Sequence, residues 1–234
     1  SEIWTSLVDE LKLFVTVYVV DLPGMGGSTL ISPYTLDNIA KEIKANVPIK
    51  KCNILGWSLG GQVAMYLAIK MPEFVEKLIL MSTTPCFVEK IDWPYGVNKQ
   101  FFLNFEIEAK KNLNDTLMKF FLIQTRGIND SKKMMRFLKN EFIELRDENK
   151  SGMHSALNVL KETDLRNDVK KINKHTLIIT GDKDRLTNIK ASIWLNETIK
   201  GAKLKEIKGA NHIPFLSHKE TMTVSVKKFL QNDQ

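Results

Sequence analysis

The sequence contains little cysteine or histidine and no long hydrophobic run. Its 234 residues include two cysteines, Cys52 and Cys86, and neither belongs to a CxxC pair. A disulfide framework is therefore not expected, whereas a reducing compartment is. No apolar run approaches the ~20 residues that a membrane helix needs, and the first ten residues lack the basic start and apolar centre of a signal peptide. These absences argue against a disulfide-rich secreted scaffold and predict a cytoplasmic protein without a membrane span.

The charge is positive, but the signals of a nucleic-acid module are missing. Thirty-four Lys and Arg residues against 27 Asp and Glu residues give a net charge of +7, which favours acidic partners. The sequence shows no zinc-ligand spacing, no aromatic RNA-binding strand and no long basic run. Its four histidines form no cluster with carboxylates at metal-ligand spacing. We therefore expect no nucleic-acid partner, no metal and no cofactor.

Apolar periodicity predicts an α/β fold. Buried strands are predicted at 13–24, 51–57 and 75–83, because these runs are rich in β-branched and other apolar residues. Helices are predicted at 32–47 and 59–73, where apolar residues recur at three- and four-residue spacing. This alternation is typical of a mostly parallel sheet with helices on both faces.

The middle of the chain interrupts the alternation. Residues 98–162 have helical periodicity without a clear strand, and they predict three or four amphipathic helices. The alternation then returns with a strand at 174–184, a helix at 187–199, a strand and loop at 202–212 and a helix at 219–231. The predicted organisation is an α/β core, residues 1–97 and 163–234, with a helical lid insertion at 98–162.

One short stretch predicts the chemistry. The segment "ILGWSLGGQ" at 54–62 contains the pattern G-x-S-x-G, with Ser58 between a predicted strand and a predicted helix. This context is typical of a nucleophile elbow, in which the next amide, here that of Leu59, donates to an oxyanion. We expect Gly56 and Gly60 to be glycines because a Cβ at either position would meet neighbouring backbone. A phosphate-binding loop is not supported, since its lysine and its glycine spacing are missing.

A serine elbow needs an acid and then a histidine later in the chain. Asp184 follows the strand "TLIIT" in "GDKD", and His212 follows the last predicted strand in "KGANHIPFLSH". The order Ser58, Asp184, His212 predicts a triad in which the acid orients the imidazole and the imidazole takes the serine proton. Asp182 is the alternative acid, in which case Asp184 would be a turn or cap residue. We interpret His218 as a cap of the final helix or a solvent-facing residue.

These motifs carry a resemblance to a known family. The segments "VVDLPGMGGS", "GWSLGG", "STTPCF", "GDKDRL" and "GANHIPFLSH" resemble the α/β-hydrolase superfamily, and more narrowly the BioH family of pimeloyl-[acyl-carrier protein] methyl ester esterases. The resemblance covers essentially the whole chain and places the family's triad on Ser58, Asp184 and His212. It implies a monomeric serine carboxylesterase of biotin biosynthesis, which releases methanol from the methyl ester of a pimeloyl chain on acyl-carrier protein.

The resemblance also implies roles for the insertion. Phe120 and Gln124 match positions that cover the acyl chain, and the basic positions that contact the acidic carrier protein fall on Lys119, Lys132 and Arg136. Alternatively, the aromatic residues are core of the insertion and the basic residues form a solvated face.

The family's second oxyanion donor follows a His-Gly segment, and this sequence begins just after that point. We therefore expect the first strands and the oxyanion loop to lie upstream of Ser1. Two other functions remain open: a different small-ester, lactone or C–C hydrolase, because fold does not set substrate, and an inactive hydrolase-fold binding protein.

Overall fold

Four parallel strands form the central sheet of the computed structural model, which describes residues 2–125, 131–142 and 147–231. Their order in space follows their order in the chain: β1 (Cys52–Trp57), β2 (Val75–Met81), β3 (His175–Gly181) and β4 (Lys203–Ile207). In the register, Trp57 pairs with Met81, and Met81 pairs with Ile179. The carboxyl ends of three strands are therefore aligned immediately beside Ser58. The predicted parallel sheet is confirmed.

The α-helices of the described residues lie before, between and after the strands. In chain order they are α1 (Thr5–Leu11), α2 (Leu36–Asn46), α3 (Leu59–Lys70), α4 (Lys99–Lys111), α5 (Leu113–Thr125), α6 (Ser131–Phe142), α7 (Asp147–Glu162), α8 (Ile189–Thr198), α9 (Pro214–Ser217) and α10 (Lys219–Gln231). Helices α4 to α7 fall between β2 and β3, where the sequence predicts the insertion. Two of these described helices, α1 and the short α9, have no counterpart among the predicted elements.

The two central strands, β2 and β3, bury both of their faces, because successive side chains of a strand point to opposite sides. Leu80 and Ile178 pack into a core that includes residues of α2, α3 and α8. Their neighbours Met81 and Ile179 pack into a second core with residues of α1, α5 and α10. This two-sided burial explains why the strands read as continuous apolar runs rather than as alternating ones.

An ion cluster fixes the chain where it returns from α7 to the sheet. The Asp164 carboxylate accepts hydrogen bonds from Arg166, at 2.7 and 2.8 Å, and from the Lys90 Nζ at 2.8 Å. The guanidinium of Arg166 holds the pKa of Asp164 well below its ordinary value, despite partial burial. The cluster joins the end of the helical insertion to the loop that follows β2.

The strand predicted at 13–24 is wrong. The structure has no strand over these residues, and Tyr18, Val19 and Val20 are 39–48% exposed. A strand requires a neighbour that pairs its backbone N–H and C=O groups. Among the described residues β1 is bonded to β2 alone, and residues 13–24 form no ladder with its open edge.

Within the ranges that the structure describes, no helix is long and apolar enough to cross a membrane. In the same ranges, no three His, Cys, Asp or Glu side chains are grouped so that they could hold a metal ion. Both cysteines are free thiols, with Cys86 buried and Cys52 half-buried.

Candidate active site

Ser58 occupies a strained turn between β1 and α3. Its φ of 53° and ψ of −121° lie in a region that non-glycine residues rarely adopt, and the surrounding structure must hold such a residue in place. The Ser58 amide donates to the Met81 carbonyl at 3.1 Å, and the Thr83 hydroxyl donates to the Ser58 carbonyl at 2.7 Å. Both ties come from β2 and the turn after it, so the neighbouring strand fixes the elbow.

The glycines around Ser58 relieve crowding at two positions. A Cβ on Gly56 would overlap the backbone of Gly60, and a Cβ on Gly61 would lie 2.5 Å from the side chain of Thr83. The expectation for Gly60 is wrong, because a Cβ there would have no neighbour within 4 Å. Gly60 lies in the first turn of α3 and faces open space, whereas Gly61 faces Thr83 in the turn after β2.

His212 and Asp184 form a buried pair. The His212 Nδ1 lies 2.9 Å from Asp184 Oδ2, and the two residues are 1% and 8% exposed. Oδ2 also accepts from the Thr187 hydroxyl at 2.5 Å, while Oδ1 accepts from the amides of Leu186 and Thr187 at 2.8 and 3.0 Å. Four donors thus hold the carboxylate: His212, and three groups of Leu186 and Thr187 in the loop that carries Asp184.

These donors decide the charge of the acid. Burial by itself raises the pKa of Asp184, but the charge and hydrogen bond of His212, together with the hydrogen bonds from Thr187, outweigh it. The pKa of Asp184 therefore lies below its ordinary value, and the carboxylate is ionised at neutral pH. An ionised acceptor selects the tautomer of His212 with its proton on Nδ1, which leaves Nε2 free to accept one.

Asp182, the alternative acid, lies elsewhere in the same turn. Its Oδ1 accepts from the Gly209 amide at 2.6 Å, which fixes the loop after β4. His218, six residues after His212, lies next to the Ser217 hydroxyl at 2.9 Å and directly precedes α10. The structure therefore brings Asp184, and not Asp182, to His212.

A cavity of about 1000 Å³ opens beside these residues. Ser58, Leu59 and His212 line it, and its apolar lining includes residues of α4, α5 and α7: Phe102, Phe105, Phe120, Met153 and Leu157. A second part of the same cavity lies between β1 and residues 15–22, so only part of its volume faces Ser58. Leu59 is the first residue of α3, where amides have no intrahelical acceptor.

The predicted lid residues lie on α5 and α6. Phe120 is half-buried and lines the cavity, whereas Gln124 is 2% exposed and lies outside its lining. The side chains of Lys119, Lys132 and Arg136 are exposed to solvent.

The sequence analysis missed three residues that contact the His–Asp pair or its loop. Thr187 could have been found, since a threonine three positions after an aspartate is a frequent local hydrogen-bonding pattern. Trp57 and Asn211 could not, because their contacts join residues 155 and 87 positions apart. Both donate to backbone carbonyls, which no side-chain motif records.

Comparison with known proteins gives a consistent result. The family model of the alpha/beta hydrolase fold matches residues 1–219. The chain is 34% identical over 234 residues to a pimeloyl-[acyl-carrier protein] methyl ester esterase from Wigglesworthia glossinidia brevipalpis. The match covers 99% of this chain and 89% of the relative. A protein of the same name from Xylella fastidiosa (strain 9a5c) is also 34% identical, over 98% of this chain and 90% of the relative.

Solved structures with lower identity share the fold. An esterase from Exiguobacterium antarcticum superposes with a TM-score of 0.89 at 23% identity, over 99% of this chain and 87% of that one. The enol-lactonase from Burkholderia xenovorans LB400 gives a TM-score of 0.85 at 20% identity, over 99% of this chain and 86% of that one. At such identities the likeness concerns the fold alone.

Proposed function

The chain belongs to the alpha/beta hydrolase fold family and, within it, to the pimeloyl-[acyl-carrier protein] methyl ester esterases, and on that premise we propose that it hydrolyses the methyl ester of a pimeloyl chain carried by acyl-carrier protein. The products are methanol and the free carboxylate on the carrier, a step of biotin synthesis. The observation that carries the proposal is the buried His212–Asp184 pair at 2.9 Å, whose histidine lines the same cavity as a serine on a strained elbow.

The reaction we propose is acyl transfer through Ser58. His212 Nε2 takes the Ser58 proton while Oγ attacks the ester carbonyl carbon, and Asp184 stabilises the imidazolium that forms. The Leu59 amide donates to the developing oxyanion. The tetrahedral intermediate collapses, and the methoxide takes the proton from His212 and leaves as methanol. Water, deprotonated by His212, then attacks the acyl-serine, and His212 returns that proton to Ser58 as it leaves. The carboxylic acid that is released loses its own proton to solvent and becomes the carboxylate.

The apolar cavity suits this substrate. A pimeloyl methyl ester has an uncharged end that can enter an apolar cavity, whereas a free carboxylate there would lose its hydration without gaining a partner. Phe120 would contact the methylene chain, and Gln124 would support the helix from which Phe120 projects. Hydrolysis creates the charge inside the cavity, which favours release of the product.

The exposed basic residues of α5 and α6 would attract the carrier. Lys119, Lys132 and Arg136 are solvated, so each contributes chiefly to encounter rate and orientation rather than to affinity. We further propose that the protein is a monomer in the cytoplasm. Its two free thiols agree with a reducing compartment, and cell fractionation and light scattering test the two statements separately.

The test is turnover of the carrier-bound substrate. We expect methanol release by the full chain, no release by Ser58→Ala, and labelling of the parent protein but not the variant by a fluorophosphonate. Reversal of Lys119, Lys132 and Arg136 to Glu should lower kcat/KM on the carrier substrate at low salt and leave a short p-nitrophenyl ester unaffected. Lys200→Glu, an exposed charge reversal at the end of α8, is the matched control.

Two results would contradict the proposal. Turnover of short esters alone, with no effect of the three reversals, would indicate a different small-ester or lactone hydrolase. Absence of labelling at Ser58 would indicate an inactive binding protein with a hydrolase fold.

A further inference from the structure

The loop that carries His212 is hydrogen-bonded to two other parts of the fold, once through Trp57 and once through its own Asn211. The Trp57 Nε1 donates a hydrogen bond to the His212 carbonyl oxygen at 2.7 Å. On the other side of the same loop, the Asn211 Nδ2 donates to the Gln124 carbonyl oxygen at 2.8 Å. The first tie joins the loop to the residue that precedes Ser58, and the second joins it to the last turn of α5.

Trp57 contacts His212 through its ring as well. The two ring centroids are 5.4 Å apart, and the indole also packs edge-on against Phe215 at 5.2 Å and Trp4 at 6.3 Å. Phe215 stacks on Trp4 at 4.4 Å, so the half-buried indole packs against a cluster of aromatic rings. This packing limits the alternative rotamers of Trp57, and its N–H therefore offers a fixed point for the carbonyl of His212.

We propose that Trp57 is a positioning residue that fixes the backbone of His212 relative to Ser58. Asn211, through its hydrogen bond to Gln124, links the position of that backbone to α5. The inference rests on the proposed roles of Ser58 and His212. Asp184 holds the imidazole through Nδ1, and Asp182 holds the start of the loop at Gly209, but neither contact reaches the backbone of His212. Trp57 holds that backbone from the elbow side, and Asn211 holds it from the side of the helical insertion.

The required accuracy makes such ties effective. Proton transfer from Ser58 needs Nε2 within about 2.6–3.2 Å of Oγ, and a misplacement of about 1 Å costs on the order of a hundredfold in rate. An acyl chain that packs against Phe120 would steady α5 and, through the Gln124 carbonyl, the histidine loop. Occupation of the cavity and alignment of His212 are therefore coupled.

The test uses two tryptophans that each donate their ring N–H to a backbone carbonyl. Trp57→Phe keeps an aromatic ring and removes the N–H. Trp93→Phe is the matched control, because the Trp93 Nε1 also donates to a backbone carbonyl, that of Cys86 at 2.9 Å, and its ring packs in a separate aromatic cluster away from Ser58. Each variant is assayed for fluorophosphonate labelling, for kcat and KM on p-nitrophenyl hexanoate and on the shorter p-nitrophenyl acetate, and for thermal stability.

We expect Trp57→Phe to lower the labelling rate and kcat by about tenfold to a hundredfold with KM changed less than about threefold. For Trp93→Phe the labelling rate and kcat should stay within about twofold of the parent protein. The melting temperature should fall in both tryptophan variants. Asn211→Ala should lower kcat for the hexanoate more than for the acetate, because the short ester does not reach α5. Replacement of a residue with a merely structural role would lower kcat for both esters in the same proportion.

The outcomes separate this inference from the proposed function. Failure of the parent protein to label removes the proposed function itself. Normal labelling of the parent protein with equal rates for the two tryptophan variants overturns the positioning role and leaves the proposed function intact. If Trp57→Phe does not fold, Asn211→Ala decides: an unchanged hexanoate-to-acetate ratio of kcat overturns the inference, and a reduced ratio supports it.

Discussion

Replacement of Thr187 by Val is expected to weaken the fold through the charge of Asp184. The Thr187 hydroxyl donates to Asp184 Oδ2 at 2.5 Å, and both residues are buried. Valine has nearly the same shape but cannot donate. A hydrogen bond to a charged group contributes about 1.5–3 kcal/mol, against about 0.5–1.5 kcal/mol for one between neutral groups. We therefore expect Thr187→Val to lower the free energy of unfolding by about 1.5–3 kcal/mol at neutral pH.

The matched control is Thr176→Val. Thr176 is as buried as Thr187, at 1% exposure, and its hydroxyl donates at 2.8 Å to the carbonyl of Lys174, an uncharged acceptor. Its loss should be about 0.5–1.5 kcal/mol and should not depend on pH. Urea denaturation of the two variants beside the parent protein measures both quantities.

The pH dependence distinguishes the charge from simple packing. The folded-state pKa of Asp184 lies below its unfolded value of about 3.9, so its contribution is complete above that value and is lost as the pH falls through the folded pKa. Thr187→Val raises the folded pKa. The stability difference between parent protein and variant is therefore constant near neutral pH and shrinks in acid, as the pH falls through the folded pKa of the variant and then that of the parent protein. A loss no larger than that of Thr176→Val, or one that stays constant into acid, would refute the reasoning.

Two further pairs of variants test the elbow and the acid. Gly61→Ala should cost about 1–3 kcal/mol of stability, because its Cβ would meet Thr83. Gly60→Ala, in open space on α3, should be neutral or stabilising by up to about 1 kcal/mol. Equal effects of the two variants in urea denaturation would contradict the assignment of the crowded glycine. Asp184→Asn should lower kcat by a factor on the order of 10⁴, because an amide favours the wrong tautomer of His212. For Asp182→Asn, kcat should stay within a few-fold of the parent protein. Steady-state kinetics on a p-nitrophenyl ester measure both values, and the reverse ranking would assign the acid to Asp182.

The candidate triad could be derived from the sequence because its chemistry imposes local patterns. A strained turn that exposes a serine requires small neighbours, and that requirement is visible in nine residues around Ser58. With only four histidines in the chain, the order of acid and base left few combinations. The choice between Asp182 and Asp184 was not a local matter, because both lie in the same four-residue turn and differ only in what reaches them from β4 and its loop.

The strand predicted at 13–24 failed for a physical reason of the opposite kind. Its β-branched and aromatic residues suit a strand, but side-chain preference does not supply hydrogen-bond partners for the backbone. Conversely, α1 forms because Leu7 and Leu11 find a core beside α10. Neither outcome is recorded in the segment itself, since both depend on which elements become its neighbours.

The sequence by itself determined the α/β class, the helical insertion between two strands of the sheet, and the candidate nucleophile with its order of acid and base. These follow from side-chain spacing and turn chemistry, which are properties of residues close together in the chain. Only the tertiary structure decided that Asp184 meets His212 and that Trp57 and Asn211 hold the histidine loop. Those contacts join residues 28 to 155 positions apart, and they exist only because the register of β1, β2 and β3 brings the ends of the strands to one edge.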